Sequence, residues 1–295
     1  MPKNLASTVP LPPWGLAIAA MLSVQLGSAL SVDLIDEVGS AGTAWLRLTI
    51  GALIFLAIAR PSLRSLRRQD LPAIIGLGLT TGFQTIVFLE AIDRIPLGTA
   101  VAIEFLGPLT VAAIGTRARR ALIWPLLALA GVILLSEPWN GDLQLDGIAF
   151  ALLAAIGWAA YIVLTQQVGD RFSGISALSL SVSIAAIASA TIGIPQTAGH
   201  LTIRTIAIAA GLAILLPVLP YALELLALRR MTPTAFGTLM ALEPAIGLLL
   251  GWAVLHQQPA PIQLLGIVLV VLAGASAQRD GQRTAPVTEL ERIRE

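Results

Sequence analysis

Ten apolar stretches follow one another along this chain: Trp14 to Val32, Ala41 to Ala59, Leu71 to Ala91, Leu97 to Thr116, Ala121 to Leu135, Gly147 to Gln167, Gly174 to Ile194, Ile203 to Leu228, Thr234 to Leu255 and Pro261 to Ala277. A helix rises about 1.5 Å per residue and bilayer hydrocarbon is about 30 Å thick, so roughly 17 to 25 apolar residues make one crossing. Several of the ten are short, which suits a compact bundle whose helices touch each other more than lipid. The connections are brief and leave no room for an inserted soluble domain. Of the 295 residues, 56% are hydrophobic and only 12% are charged, against about 25% charged in a soluble domain. The pattern predicts an all-α integral membrane protein with ten transmembrane helices.

Basic residues resist translocation and therefore set orientation. With the amino terminus in the cytoplasm, Lys3, Arg60, Arg64, Arg67, Arg68, Arg117, Arg119, Arg120, Arg171, Arg229, Arg230, Arg279, Arg283, Arg292 and Arg294 fall on the cytoplasmic side, Arg94 and Arg204 on the other, and Arg47 inside a span. An error of one span would scramble this bias, which predicts both termini in the cytoplasm. The first run exceeds the usual 7 to 15 apolar residues of a signal peptide and is followed by Asp33, Asp36 and Glu37, so it reads as an uncleaved span. The expected organisation is a tail over 1–13, five helices over 14–136, a connecting loop over 137–146, five helices over 147–277 and a charged, disordered cytoplasmic tail over 278–295.

Sliding the second half against the first by 136 positions pairs Leu89–Pro96 with Leu225–Thr232, Pro108 with Pro244, Gly115 with Gly251 and Pro125 with Pro261. A duplicated unit with an odd number of spans enters the membrane upside down in its second copy. Two inverted five-helix repeats around a central cavity are a transporter architecture, because they can open one site to alternate sides.

An ionisable group at mid-bilayer costs from about 3 to over 10 kcal/mol, so each one needs a reason. Arg47, Glu90, Glu104, Glu224 and Glu243 are the five in the runs. Four carboxylates cannot all pair with one guanidinium, so some are protonated or face a water-filled cavity. Arg47 either pairs with a glutamate of another span or meets a substrate. Glu243 stands directly before Pro244, and Glu104 four residues before Pro108. Proline deprives a helix of a backbone hydrogen bond and leaves carbonyls free for an ammonium group, or it simply kinks the helix. Pro217, Pro220, Tyr221 and Glu224 fall near one face of a broken eighth helix. Trp158, Tyr161 and Thr165 repeat the aromatic-plus-polar pattern, and Gln25 with Ser28 adds an amide and a hydroxyl. Such aromatics also serve as bundle core or interfacial belt. Glu90, close to Asp93 and Arg94, marks the aqueous boundary.

The net charge of +1 gives no support to a nucleic-acid partner. Cysteine is absent, and His200 and His256 stand far apart, so no metal site is expected. No phosphate-binding loop or catalytic nucleophile pattern is present, so neither a cofactor nor an enzyme is expected, and any driving force is a gradient.

The stretches PLGTAVAIEFLGPL at Pro96 to Leu109, FGTLMALEPA at Phe236 to Ala245 and PYALELLAL at Pro220 to Leu228 resemble the EamA branch of the drug/metabolite transporter superfamily, in particular its bacterial inner-membrane threonine/homoserine exporters. SVQLGSAL at Ser23 to Leu30, LRL at Leu46 to Leu48, GWAAYIV at Gly157 to Val163 and PIQLLG at Pro261 to Gly266 extend the resemblance over nearly the whole chain. It implies ten helices in two inverted repeats and export of small amino acids across the inner membrane. Arg47, Glu104, Tyr221, Glu224 and Glu243 fall where that subgroup has the same residues. His256 and Gln257 depart from it, replacing a Gly-Glu pair and putting proton coupling in doubt. On this reading the partners are an amino-acid zwitterion, membrane lipid and, where coupling holds, protons. Glu243 or Glu104 attracts the ammonium, Arg47 orients the carboxylate or an acidic partner, and Tyr221 and Trp158 shape the side-chain pocket. The rival within transporters is a lipophilic amine or drug as cargo, which has no use for Arg47. A membrane enzyme or assembly factor lacks motif support.

Overall fold

The computed structural model describes residues 11–61, 71–115, 122–137, 139, 144–168, 175–231 and 233–280. Lys3, Arg64, Arg67, Arg68, Arg117, Arg119, Arg120, Arg171, Arg283, Arg292 and Arg294, and the tail beyond residue 280, lie outside the described residues. Among the described residues every regular element is helical. In chain order these are α1 (Pro13–Val38), α2 (Ser40–Ala59), α3 (Leu71–Ile92), α4 (Leu97–Glu104), α5 (Leu106–Gly115), α6 (Ile123–Ser136), α7 (Leu145–Val168), α8 (Ile175–Thr197), α9 (Ile203–Ala213), then a kinked linker (Ile214–Val218) with Leu216 extended at φ -158° and ψ 107°, α10 (Leu219–Leu228), α11 (Pro233–Met240), α12 (Glu243–Leu255) and α13 (Pro261–Asp280). Among the described residues, eight segments are long and apolar enough to cross a membrane, three of them counted across a break, while Ile123–Ser136 and Pro261–Ala277 are shorter apolar helices.

Three boundaries differ from the sequence reading; α13 runs to Asp280, so residues 278–280, expected in the disordered tail, continue the helix. The first helix runs on to Val38 instead of stopping near Val32, because its last turns are amphipathic: Leu34, Ile35 and Val38 are buried while Asp33 and Asp36 are exposed. The seventh run likewise continues through Pro195 to Thr197.

The fourth, eighth and ninth runs are each broken, and proline explains where. Proline removes the N–H that would bond the carbonyl four residues earlier, and its ring crowds that carbonyl. Accordingly α4 ends at Glu104, four before Pro108; α9 ends at Ala213, four before Pro217; and α11 ends at Met240, four before Pro244. Pro220 falls in the first turn of α10, where a missing N–H costs nothing.

The 136-residue offset recurs in the element boundaries. It carries the end of α3 at Ile92 to the end of α10 at Leu228, and the start of α4 at Leu97 to the start of α11 at Pro233. It also carries the end of α4 at Glu104 to the end of α11 at Met240. Helix α3 lies on α7 and α8, α1 lies on α10 and α12, α2 on α8, α4 on α12 and α7, and α6 on α13.

Helix α4 sits at the centre, with every residue from Leu97 to Glu104 buried. Apart from Thr99 and Glu104 it is apolar all round, which suits a buried place. Its neighbours approach closely through glycines. A Cβ on Gly98 would lie 2.8 Å from the Leu248 backbone, and one on Gly266 would lie 2.7 Å from the Gly131 carbonyl oxygen. Helices α1 and α2 are joined by Gly39 alone, at φ 75°, a conformation only glycine adopts freely.

Candidate functional site

The breaks of α4, α9 and α11 leave backbone polar groups without their helical partners, and in lipid these must be satisfied by protein or water. At the eighth run, the Ser23 hydroxyl on α1 donates to the Leu215 carbonyl at 2.7 Å. Beside these breaks lies a cavity of about 330 Å³. Gln25, Arg47, Glu104, Trp158, Tyr161, Pro217, Pro220, Tyr221, Glu224 and Glu243 all line it. Pro108 and Pro244 stand one turn beyond the breaks they cause and do not line it.

Arg47 is 4% exposed. One terminal nitrogen donates to the Ser31 hydroxyl at 2.8 Å, and Ser31 in turn donates to the Gly27 carbonyl at 2.6 Å. The Nε of Arg47 has no hydrogen-bond partner, and no carboxylate among the described residues lies within ion-pair distance of the guanidinium. The pair with a glutamate of another span, one of the two roles expected from the sequence, is not formed among the described residues. The side chain is anchored by neutral groups and keeps its charge uncompensated.

Glu243 is the first residue of α12, 4% exposed, with one carboxylate oxygen unpartnered; the Gln25 amide lies against it. Glu104, at the end of α4, accepts a hydrogen bond from the Gln84 amide at 3.0 Å. Glu224 is the third cavity carboxylate, one turn after Tyr221, whose ring meets Phe55 edge-on at 5.8 Å. Trp158 packs edge-on against Phe105, the residue at the α4–α5 break, at 6.3 Å. The cavity thus combines one guanidinium, three carboxylates and an aromatic wall.

Glu90 belongs elsewhere. It bonds Arg94 at 2.5 Å at the end of α3, where Arg94 also reaches Asp146 at 3.1 Å and covers the Phe150 ring at 4.9 Å. In this cluster burial holds the Asp93 carboxyl above its usual range, with Arg94 drawing it down and Glu90 and Asp36 pushing it up. A second cavity of about 250 Å³ lies against Arg94, Glu137 and Gln263.

Gln257 has a structural task at the end of the bundle where α12 finishes. His256 closes α12 with φ 57°, and the Gln257 side-chain oxygen accepts the Leu97 N–H at 3.0 Å, capping α4. Gln196 makes the corresponding contact to the Gly42 N–H of α2 at 3.0 Å, and Gln263 donates to the Leu135 carbonyl at 3.1 Å. All three glutamines lie in the second half of the chain and hold backbone of the first.

Two contributors escaped the sequence reading. Ser31 carries no charge, and Gln84 is neutral, so a search for ionisable groups passes both. The available signal was spacing: Thr81, Gln84, Thr85 and Phe88 recur at intervals of three and four and so share one face of α3.

Residues 145–275 match the EamA-like transporter family. Over 297 residues, 99% of both chains, the protein is 35% identical to the threonine/homoserine exporter RhtA of Escherichia coli strain K12. The chain belongs to the EamA-like transporter family. It is 35% identical to the Salmonella typhimurium strain LT2 protein of the same name, over 97% of this chain and 98% of that one. A transporter of Bacillus subtilis strain 168, YvbV, is 26% identical over 49% of this chain and 50% of its own. A crystal structure 19% identical in sequence superposes with a TM-score of 0.60, covering 90% of this chain and 98% of that one, and shares the fold. As a member of the family the protein is a multi-pass membrane transporter, not an enzyme, and its substrate is a small molecule.

Proposed function

We propose that the protein exports small amino acids of the threonine and homoserine type across the bacterial inner membrane, with both termini in the cytoplasm. In this reading two inverted five-helix repeats, 14–136 and 147–277, rock about the cavity and expose it to alternate sides. The observation that carries it is the uncompensated Arg47 guanidinium sharing a cavity with the buried carboxylates of Glu104 and Glu243. A zwitterion presents one group of each sign, and its carboxylate supplies the anion that Arg47 lacks. Glu243 or Glu104 receives the ammonium, and Tyr221 and Trp158 bound the side-chain pocket. With three carboxylates and one ammonium, two carboxylates, Glu224 among them, exceed the substrate's need and offer places for a coupling proton.

The names of the full-length relatives support the substrate class. The coincidence of element boundaries under one offset supports the repeat. The three glutamine contacts between the halves are at one end of the bundle, where a gate between rocking halves would close.

A growth-resistance and efflux assay in cells carrying Glu243→Gln tests the reading: threonine efflux falls, and undiminished efflux removes Glu243 from the mechanism. The excess of carboxylates and the aromatic wall favour a second reading, export of lipophilic amines. Arg47→Ala separates the two, since an amine exporter keeps transporting its cargo without that residue.

A further inference from the structure

Helix α3 is held in one rotational setting by glycines on both sides. A Cβ on Gly78 would lie 2.6 Å from Ile184, and one on Gly82 would lie 3.0 Å from the Ala185 carbonyl, both on α8. From the other side Gly157 of α7 lets the α3 backbone approach so closely that a Cβ there would lie 3.0 Å from the Gln84 Cβ. This clamp turns Thr81, Gln84, Thr85 and Phe88 toward the cavity. The Gln84 amide then meets Glu104 across the helix boundary, at 3.0 Å from one carboxylate oxygen.

We infer that Gln84 is the positioning residue for Glu104: its amide fixes one carboxylate oxygen and leaves the other facing the cavity as the acceptor for the substrate's ammonium. The inference rests on the transport reading above. The residue type matters. A lysine or arginine here would neutralise Glu104 permanently and compete with an arriving ammonium. An amide donor orients the carboxylate and adds no charge, so the charge stays available to the cargo. Ser31 treats Arg47 the same way, through a neutral hydroxyl. Both charges are thus held without being cancelled.

Gln84→Met keeps the length and removes the donor; Gln84→Leu is a second donorless variant. Counterflow in proteoliposomes is measured for the wild type, both variants, Glu104→Gln and the double variant Gln84→Met with Glu104→Gln. The expected result for Gln84→Met is a threonine KM raised about tenfold with kcat within about twofold, the loss of one hydrogen bond to a charged group being about 1.5 kcal/mol. In the Glu104→Gln background the same substitution has no further effect. An unchanged KM, or an equal KM rise in both backgrounds, overturns the inference. A readout independent of transport is the infrared carboxyl absorption of the purified protein that disappears in Glu104→Gln. It shifts in both donorless variants if Gln84 holds Glu104 and stays in place if it does not. Absence of threonine counterflow in the wild type with the band shift intact would sink the transport reading and leave the Gln84 to Glu104 hold standing.

Discussion

Replacing Arg47 by glutamine separates recognition from folding, because the guanidinium is buried yet paired with no carboxylate among the described residues. Removing one member of a buried ion pair costs about 3 to 5 kcal/mol of stability, since the other charge is stranded. Here the structural loss is a single hydrogen bond from the guanidinium to Ser31, about 1.5 to 3 kcal/mol, offset by the removal of a buried charge. The variant should therefore fold and elute as the wild type does. Its transport should suffer much more. A hydrogen bond to a charged group contributes about 1.5 to 3 kcal/mol, which converts to a KM for threonine raised roughly 10- to 150-fold. The control is 1-aminopropan-2-ol, threonine without its carboxylate, whose weak competition should be the same against both proteins. Competition by the amine weakened as much as the KM for threonine would refute the assignment of Arg47 to the substrate carboxylate. Loss of a folded protein would refute the absence of a structural ion pair.

The helix contacts and breaks make further predictions. Gly266→Ala places a methyl 2.7 Å from the Gly131 carbonyl oxygen between α6 and α13 and should destabilise the protein by about 1 to 3 kcal/mol; an unchanged melting temperature in detergent would contradict that close approach. Gln257→Ala leaves the Leu97 N–H uncapped and should cost about 0.5 to 2 kcal/mol, whereas Gln257→Glu, which preserves an acceptor, should melt as the wild type does. Pro244→Ala restores an N–H for the Met240 carbonyl, so the ninth run should gain helical continuity and stability while threonine kcat falls; an unimpaired kcat would mean that the break has no part in transport.

How far the fold was readable depends on the scale of the feature. Apolar run length is set by bilayer thickness, and a helix or a broken helix occupies each of the ten runs. The breaks follow from proline chemistry, since in all three the preceding segment ends four residues before the ring. The extra turns of α1 were missed because Asp33, Asp36 and Glu37 look like a loop until Leu34, Ile35 and Val38 are found packed beneath them. For the cavity, charge was the legible signal: Arg47, Glu104, Glu224 and Glu243 stand out in apolar runs and line it together. Their neutral anchors were not legible, because Ser31 and Gln84 acquire meaning only from neighbours supplied by other helices. The Gln257 departure drew attention as a question of proton coupling, whereas its contact is a backbone cap, visible only once α12 is seen to end beside α4.

Counterflow of labelled threonine into proteoliposomes bears most directly on a cavity built for both ends of a zwitterion. Vesicles preloaded with unlabelled threonine or homoserine should accumulate label transiently, and vesicles preloaded with 1-aminopropan-2-ol or propionate, each lacking one charge, should not. Label driven as well by the amine as by the amino acids would show that the guanidinium plays no part in choosing the cargo.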